Sequence, residues 1–288
     1  MQETKNAVTL VECPRDAMQG WPHPIATSDK VTYLNALLRV GFDVLDFGSF
    51  VSAKAIPQLA DTKDVIPQLQ VGNTKTKLLA IIANTRGAEE AAAYDEISYL
   101  GFPFSISETF QRRNTNKSIA QSLAQVEEIQ KHCLQRGKEL VVYISMGFGN
   151  PYGDEYSAEI AIDWVGKLTA LGIRTIAMSD TVGVARQETI DYIFRNLIPA
   201  FPQAAIGAHF HASPDNWRMK IDTAYAAGCT RFDSAIKGIG GCPMAEDVLV
   251  GNIATENVLQ WCDEHDIYPN INRAAFMEAV AIANRIFV

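Results

Sequence analysis

No apolar stretch in this chain approaches the length needed to cross a bilayer, and residues 1–6 carry no apolar signal core. No Cys-x-x-Cys occurs, and the 5 cysteines (Cys13, Cys133, Cys229, Cys242 and Cys262) are odd in number. A disulfide framework is therefore not expected, and the simplest home is a reducing cytoplasm. There is no basic run either. Lys and Arg total 25 against 33 Asp and Glu, a net charge of −8, which makes nucleic acid a poor partner. Isolated pairs such as Arg112-Arg113 remain available for a phosphate or carboxylate. No Pro-rich or Gly/Ser-rich linker, low-complexity tract or convincing internal repeat divides the chain, so one domain over 1–288 is expected. Histidine is scarce as well, with 5 in 288 residues.

Two of those five are His209 and His211. They end a run, 204–208, that reads as a buried strand. In a strand, residues i and i+2 point to the same face, so the two imidazoles stand side by side. Such a pair is half of a metal site. Its bland counterpart is a pair of hydrogen-bonded core histidines, and the pair alone does not decide between them.

Short apolar runs alternate with longer amphipathic ones. Strand-like runs fall at 7–12, 44–47, 78–83, 102–107, 140–146, 175–179, 205–211 and 231–236. Helical patterns fall at 28–40, 118–136, 158–171, 219–227 and 255–264, with a terminal helix over 272–288. Gly41, Gly137, Gly172 and Gly228 sit where a left-handed C-terminal cap belongs. About eight βα units are what a TIM (β/α)8 barrel needs, and near-continuous apolar strands suit a parallel sheet covered by helices. A doubly wound open sheet competes, and periodicity does not exclude it.

In a TIM barrel, chemistry gathers at the C-terminal ends of the strands. Polar residues fall there in succession: Glu12 to Asp16, Asp46 and Ser49, Ser107-Glu108, Asp180-Thr181, His209 and His211, then Gly240-Gly241-Cys242-Pro243 and Gly251-Asn252. Singly, each has a structural explanation. Asp16 and Asp180 can cap helices, Arg15 can pair on the surface, and Cys242 can fill a turn. Together they offer imidazole, carboxylate, amide, guanidinium and thiol. Imidazole with oxygen donors suits Mg²⁺, Mn²⁺ or another octahedral divalent ion, whereas a structural zinc would want clustered cysteines. Arg15 beside such an ion could hold a carbonyl oxygen on which negative charge develops.

Assembled in order, these landmarks resemble the 3-hydroxy-3-methylglutaryl-CoA lyase family, metal-dependent TIM-barrel lyases. The resemblance runs from Val8 to about Asn257. It is carried by Glu12-Cys13-Pro14-Arg15-Asp16, Ser49-Phe50-Val51-Ser52-Ala53-Lys54, Arg113-Asn114-Thr115-Asn116, Ser179-Asp180-Thr181-Val182-Gly183 and His209-Phe210-His211. The most specific part is Gly-Gly-Cys-Pro at 240–243 followed by Gly-Asn-Ile-Ala-Thr-Glu at 251–256. The resemblance implies metal ligands Asp16, His209, His211 and Asn252. It implies that Arg15 stabilises an enolate and that Cys242, on a loop over the mouth, takes part in proton transfer. Asp46 and Asp180 would lie near the metal and help place water or the substrate hydroxyl. Asn114 and Ser49 would lie on the acyl-CoA side. The implied reaction is retro-Claisen cleavage of an acyl-CoA thioester to acetyl-CoA and acetoacetate, by a homodimer.

The departures from the family's pattern concern substrate more than metal. Ala17-Met18 replace Gly-Leu, Asp46 replaces a Glu, and Ala212-Ser213 replace Asp-Thr after the histidine pair. The loop after Cys242 has lost glycines and gained a residue. Two other readings stand beside the lyase. One is a synthase condensing acetyl-CoA with a 2-oxo acid, disfavoured by Ala212-Ser213 and by the short segment after the barrel. The other is a barrel that binds metal or acyl-CoA without turnover.

Overall fold

The computed structural model describes residues 8–241 and 250–288. Eight parallel strands close on themselves in chain order, with β1 bonded to both β2 and β8. They are β1 (Thr9–Glu12), β2 (Val44–Ser49), β3 (Lys77–Ile81), β4 (Ile97–Ser105), β5 (Glu139–Ser145), β6 (Thr175–Asp180), β7 (Ala205–Phe210) and β8 (Arg231–Ser234). The closed barrel rules out the open doubly wound sheet. Every residue of β2, β6 and β8 is buried, as strands inside a ring of helices must be.

The helices are α1 (Pro14–Gln19), α2 (Thr27–Val40), α3 (Thr62–Val65), α4 (Thr85–Ala92), α5 (Glu108–Thr115), α6 (Ile119–Gln135), α7 (Ala158–Ala170), α8 (Gln187–Ala200), α9 (Trp217–Ala226), α10 (Thr255–Glu264) and α11 (Arg273–Ile286). Local chemistry sets many of their ends. Ser118 and Gln121 form a reciprocal capping box at α6, and Ser157 caps α7. Gly41 ends α2 at φ 81°, where a side chain would be strained. The terminal helix packs on α2, and the Phe287 ring lies 5.2 Å from Trp21 and 6.0 Å from Tyr33.

Besides the short α1 and α3, apolar periodicity alone misses three helices, α4, α5 and α8. The first two are marked instead by caps, Asn84 accepting from Gly87 N–H and Ser107 from Phe110 N–H. The third starts without a capping side chain and carries Pro199 in its last turn. Strand β4 also begins five residues before its apolar run, because Tyr99 and its neighbours are only partly buried. Among the described residues no helix is long and apolar enough to cross a membrane.

The barrel interior is not purely apolar. Arg231 and Asp233 sit two residues apart on β8 and pair at 2.8 Å, both buried. Room for the guanidinium comes from Gly207 on β7, where a Cβ would lie 2.9 Å from Arg231 Cγ. At the β1 end, Glu12 is fully buried and ties two later segments to the first strand. Its carboxylate accepts from Ile236 N–H at 2.9 Å and from the Thr255 hydroxyl at 2.5 Å. Burial raises its pKa to about 8 against the opposing pull of those two donors. The folded value thus lies above the unfolded one. The stability linked to the neutral acid is complete below pH 4.5 and is lost as pH rises through about 8. Glu12→Gln, a neutral mimic, is expected to remove that loss. Between pH 5 and 8 the wild type should fall relative to the variant by up to about 1.4 kcal/mol per pH unit in urea unfolding. Parallel pH profiles would show that Glu12 is not held neutral.

Candidate active site

The residue types singled out at strand ends meet at the C-terminal mouth of the barrel, around a cavity of about 230 Å³. Arg15 and Asp16 enter it from α1, the single short helix that follows β1, with Pro14 at its first position. His209 stands on β7 and His211 just beyond it. Asn252 is brought in by backbone pairing. His211 and Asn252 form an antiparallel bridge, Ala235 bridges Ala254, and Ala212 N–H donates to Gly251 carbonyl at 2.9 Å. The ligand-type atoms of Asp16, His209 and His211 all lie within 4.8 Å of one another, and all three residues are buried.

Each of these side chains is held by one atom and offers another. His211 Nδ1 contacts the Thr181 carbonyl at 2.9 Å, which puts the proton on Nδ1 and the lone pair on Nε2. His209 Nδ1 contacts Asp233 Oδ2 at 3.2 Å in the same sense. Asn252 Nδ2 donates to Asp16 Oδ2 at 2.7 Å and to the Ile239 carbonyl at 3.0 Å. Two of the outward atoms, His211 Nε2 and Asn252 Oδ1, are buried and have no hydrogen-bond partner among the described residues. Buried polar atoms are rarely left so, and together with Asp16 they make an oxygen-and-imidazole donor set that fits a divalent cation.

Electrostatics agree with that fit. Burial pushes the pKa of His211 down, and the neighbouring His209 adds to the effect, to about 4, so its ring is neutral at pH 7. Burial alone would raise Asp16, but Arg15, the two histidines and the Asn252 amide outweigh it and bring it to about 2. His211 and Asp16 therefore present neutral imidazole and ionised carboxylate, the forms in which these groups ligate, whereas burial lowers the pKa of His209 but the Asp233 and Asp16 carboxylates outweigh it and raise it. Cys13 Sγ, His209 and Asp233 form a second close group. Burial raises the Cys13 pKa well above the usual thiol value, and the nearby carboxylates raise it further. A thiol kept protonated is a poor ligand.

Arg15 is fixed on three sides. Its Nε and Nη2 donate to Asp46 Oδ2 at 2.9 and 2.6 Å, and its Nη1 to Asp16 Oδ1 at 2.8 Å and Gln19 Oε1 at 2.9 Å. The guanidinium lines the cavity as a preorganised positive charge. Burial raises Asp46 to about 6 although Arg15 pulls it down, and its Oδ1 has no partner. Gly240 makes this close assembly possible. It has φ 113°, and a Cβ there would lie 2.4 Å from Asn252 Nδ2 and 2.7 Å from Asp16 Oδ2.

Asn114 lines the cavity, beside an apolar wall that includes Val51, Ala55, Ile56 and Phe110. Two expectations are corrected. Asp180 does not offer a free carboxylate to water or a substrate hydroxyl. It is paired with Lys220 at 2.6 Å and accepts from the Val184 and Ala185 N–H groups. Ser49 is turned into its own loop, its Oγ accepting from Val51 N–H, and does not line the cavity. Cys242 lies outside the described residues. Sequence reasoning missed Asp233, Lys220 and the Thr181 carbonyl, the groups that orient the histidines. A charged residue in the strand-like run 231–236 was the one available signal for Asp233.

A family model described as HMGL-like matches residues 8–282. The hydroxymethylglutaryl-CoA lyase of Bacillus subtilis is 33% identical over 273 residues, covering 94% of this chain and 90% of its own. A Pseudomonas aeruginosa enzyme, 3-hydroxy-3-isohexenylglutaryl-CoA/hydroxy-methylglutaryl-CoA lyase, is 31% identical, with 94% and 90% covered. Among solved structures, an HMG-CoA lyase from Acinetobacter baumannii in complex with coenzyme A and 3-methylmalate superposes with a TM-score of 0.91. It is 29% identical, with 100% of this chain and 93% of that one covered. The chain belongs to the HMGL-like family and is a lyase.

Proposed function

We propose that this acyl-CoA lyase cleaves 3-hydroxy-3-methylglutaryl-CoA to acetyl-CoA and acetoacetate, using a divalent ion, Mg²⁺ or Mn²⁺, held by Asp16, His209, His211 and Asn252. The observation that carries the reading is that two buried atoms, His211 Nε2 and Asn252 Oδ1, have no partner among the described residues, on side chains that adjoin the ionised Asp16 and its fixed guanidinium. When bound, the ion would supply Lewis-acid polarisation of the substrate's oxygens and lower the pKa of its hydroxyl.

The chain's own residues do the rest. A base takes the tertiary hydroxyl proton, that oxygen becomes the ketone of acetoacetate, and the electrons of the broken C–C bond pass into the thioester enolate. Arg15, already held by Asp46 and Gln19, meets the enolate oxygen without reorganising. Asp46 serves as the anchor of Arg15. Protonation of the enolate carbon gives acetyl-CoA, and Cys242 is the group assigned to that proton transfer. Asn114 and the apolar wall of Val51, Ala55 and Ile56 receive the acyl-CoA arm.

The apolar wall supports a second reading, in which the substituent at C3 is longer than methyl. The Pseudomonas relative is named for both an isohexenyl and a methyl substrate. The decisive assay offers both thioester types, with Mn²⁺, to the purified protein. Cleavage of one or both is expected. Failure on the whole panel would sink the lyase reading, and condensation of acetyl-CoA with a 2-oxo acid would favour a synthase. Cys242→Ala is expected to lower turnover about 10²-fold or more while leaving Mn²⁺ affinity unchanged. Unaltered turnover would remove the role of that thiol. Gly240→Ala should weaken Mn²⁺ binding about 10–100-fold by separating Asn252 from Asp16, as read by the electron paramagnetic resonance signal of free Mn²⁺. Binding as tight as wild type would mean that Asn252 is not a ligand.

A further inference from the structure

Lys220 is a charged side chain, sealed from solvent near the site, that the reaction does not use. It lies in the first turn of α9, is completely buried, and reaches inward to the ends of β6 and β7. Its ammonium donates to three acceptors: Asp180 Oδ2 at 2.6 Å, the His211 carbonyl at 2.7 Å and the Gly183 carbonyl at 3.1 Å. An ammonium has three protons, so its capacity is filled. Burying it is costly unless it is paired and fully hydrogen-bonded, and here it is both. Sealed from the cavity, it is no proton donor to substrate.

What it touches is the support of one imidazole. His211 is held at its carbonyl by Lys220, at its amide by the Asp180 carbonyl at 3.4 Å, and at its ring by the Thr181 carbonyl at 2.9 Å. The last two supports belong to residues 180–181, which the Asp180–Lys220 pair fixes in place. The same turn is closed by Val184 and Ala185 N–H donating to Asp180, and is braced from β5 by Met146 N–H donating to Thr181 Oγ1. These three supports of His211 lead to Lys220 directly, through Asp180, or through Thr181 and Asp180.

We propose that Lys220, paired with Asp180, is a positioning residue that fixes the backbone and ring of His211 and thereby sets the divalent-ion affinity of the site. The inference rests on the metal reading above. It also gives Asp180 a role: the acid holds the lysine that holds the ligand.

The test is Mn²⁺ binding to the full chain after chelator treatment, measured as free Mn²⁺ by electron paramagnetic resonance, alongside thermal unfolding. Lys220→Met alone leaves Asp180 buried and unpaired and is expected to lower the unfolding midpoint sharply. The double variant Lys220→Met/Asp180→Asn removes both charges and should recover most of the stability. Its Mn²⁺ affinity should stay about 10–100-fold below wild type, because the His211 carbonyl has lost its donor. Recovery of stability together with wild-type affinity would overturn the proposal and leave the pair a purely structural one. Lys220→Arg keeps the charge against Asp180, but a planar guanidinium cannot serve three converging acceptors. It should fold and bind Mn²⁺ about tenfold more weakly, and undiminished affinity would count against positioning. Absence of Mn²⁺ binding by the wild-type protein would instead overturn the metal reading itself.

Discussion

The mouth of the barrel depends on the carboxylate of Asp16. One oxygen accepts from Arg15, and the other accepts from the Asn252 amide at 2.7 Å and from Gly241 N–H at 3.3 Å. Those donors come from the first βα connection and from the segment after the last strand, 236 residues away in the chain. A barrel closes β1 onto β8 by backbone hydrogen bonds, but that closure alone does not bring the loops above it together. Asp16 does so with charge-assisted bonds, and the glycine at 240 lets the two backbones approach. The Asp16 contact, with the one from Asn252 Nδ2 to the Ile239 carbonyl, fixes the Asn252 amide.

The same economy of paired atoms extends downward. Asp46 and Asp16 share Arg15, while Asp233 lies between Arg231 and His209. Three buried carboxylates, two guanidiniums and two imidazoles thus run from the mouth of the barrel down to the start of β8. As a source of stability such an array is a weak choice, since well-packed apolar groups would serve as well or better. As a way of holding side chains within a fraction of an ångström it is effective, because every group is fixed by a partner that is itself fixed. Among the atoms left over, His211 Nε2 and Tyr143 OH belong to residues that line the cavity.

Much of the architecture was legible because strand and helix periodicities are local. The histidine pair was readable from i, i+2 spacing alone, and the barrel order placed Asp16 and Arg15 at the same end. Asn252 was a candidate by its place after β8, but a ligand role came only from the family resemblance, since its position depends on an isolated bridge to His211 that no local pattern announces. Asp180 looked like a free acid at a strand end because the sequence does not show that a lysine 40 residues later enters from a helix to neutralise it. Ser49 was misplaced for a related reason: a hydroxyl next to a turn satisfies the turn first. Helices α4 and α5 were hidden because their signals are caps rather than apolar stripes.

The departures from the family's pattern acquire different weights once the contacts are known. At Ala212 the working contact is the main-chain N–H to Gly251, so a small apolar side chain there leaves the placement of Asn252 intact. Ser213 contributes its N–H to Asn216 Oδ1, which closes the turn leading into α9 and sets Lys220 at the height of His211. The unusual segment after the histidine pair is therefore joined to the buried lysine and through it to the His211 carbonyl. Asp46 is different. A single oxygen takes both Arg15 contacts, and a second, unpartnered oxygen remains buried beside a raised pKa of about 6. A shorter acid at this point still anchors the guanidinium and leaves one oxygen without a partner among the described residues. The substitutions near α9 thus bear on how His211 is held, and the one on β2 bears on how Arg15 is anchored.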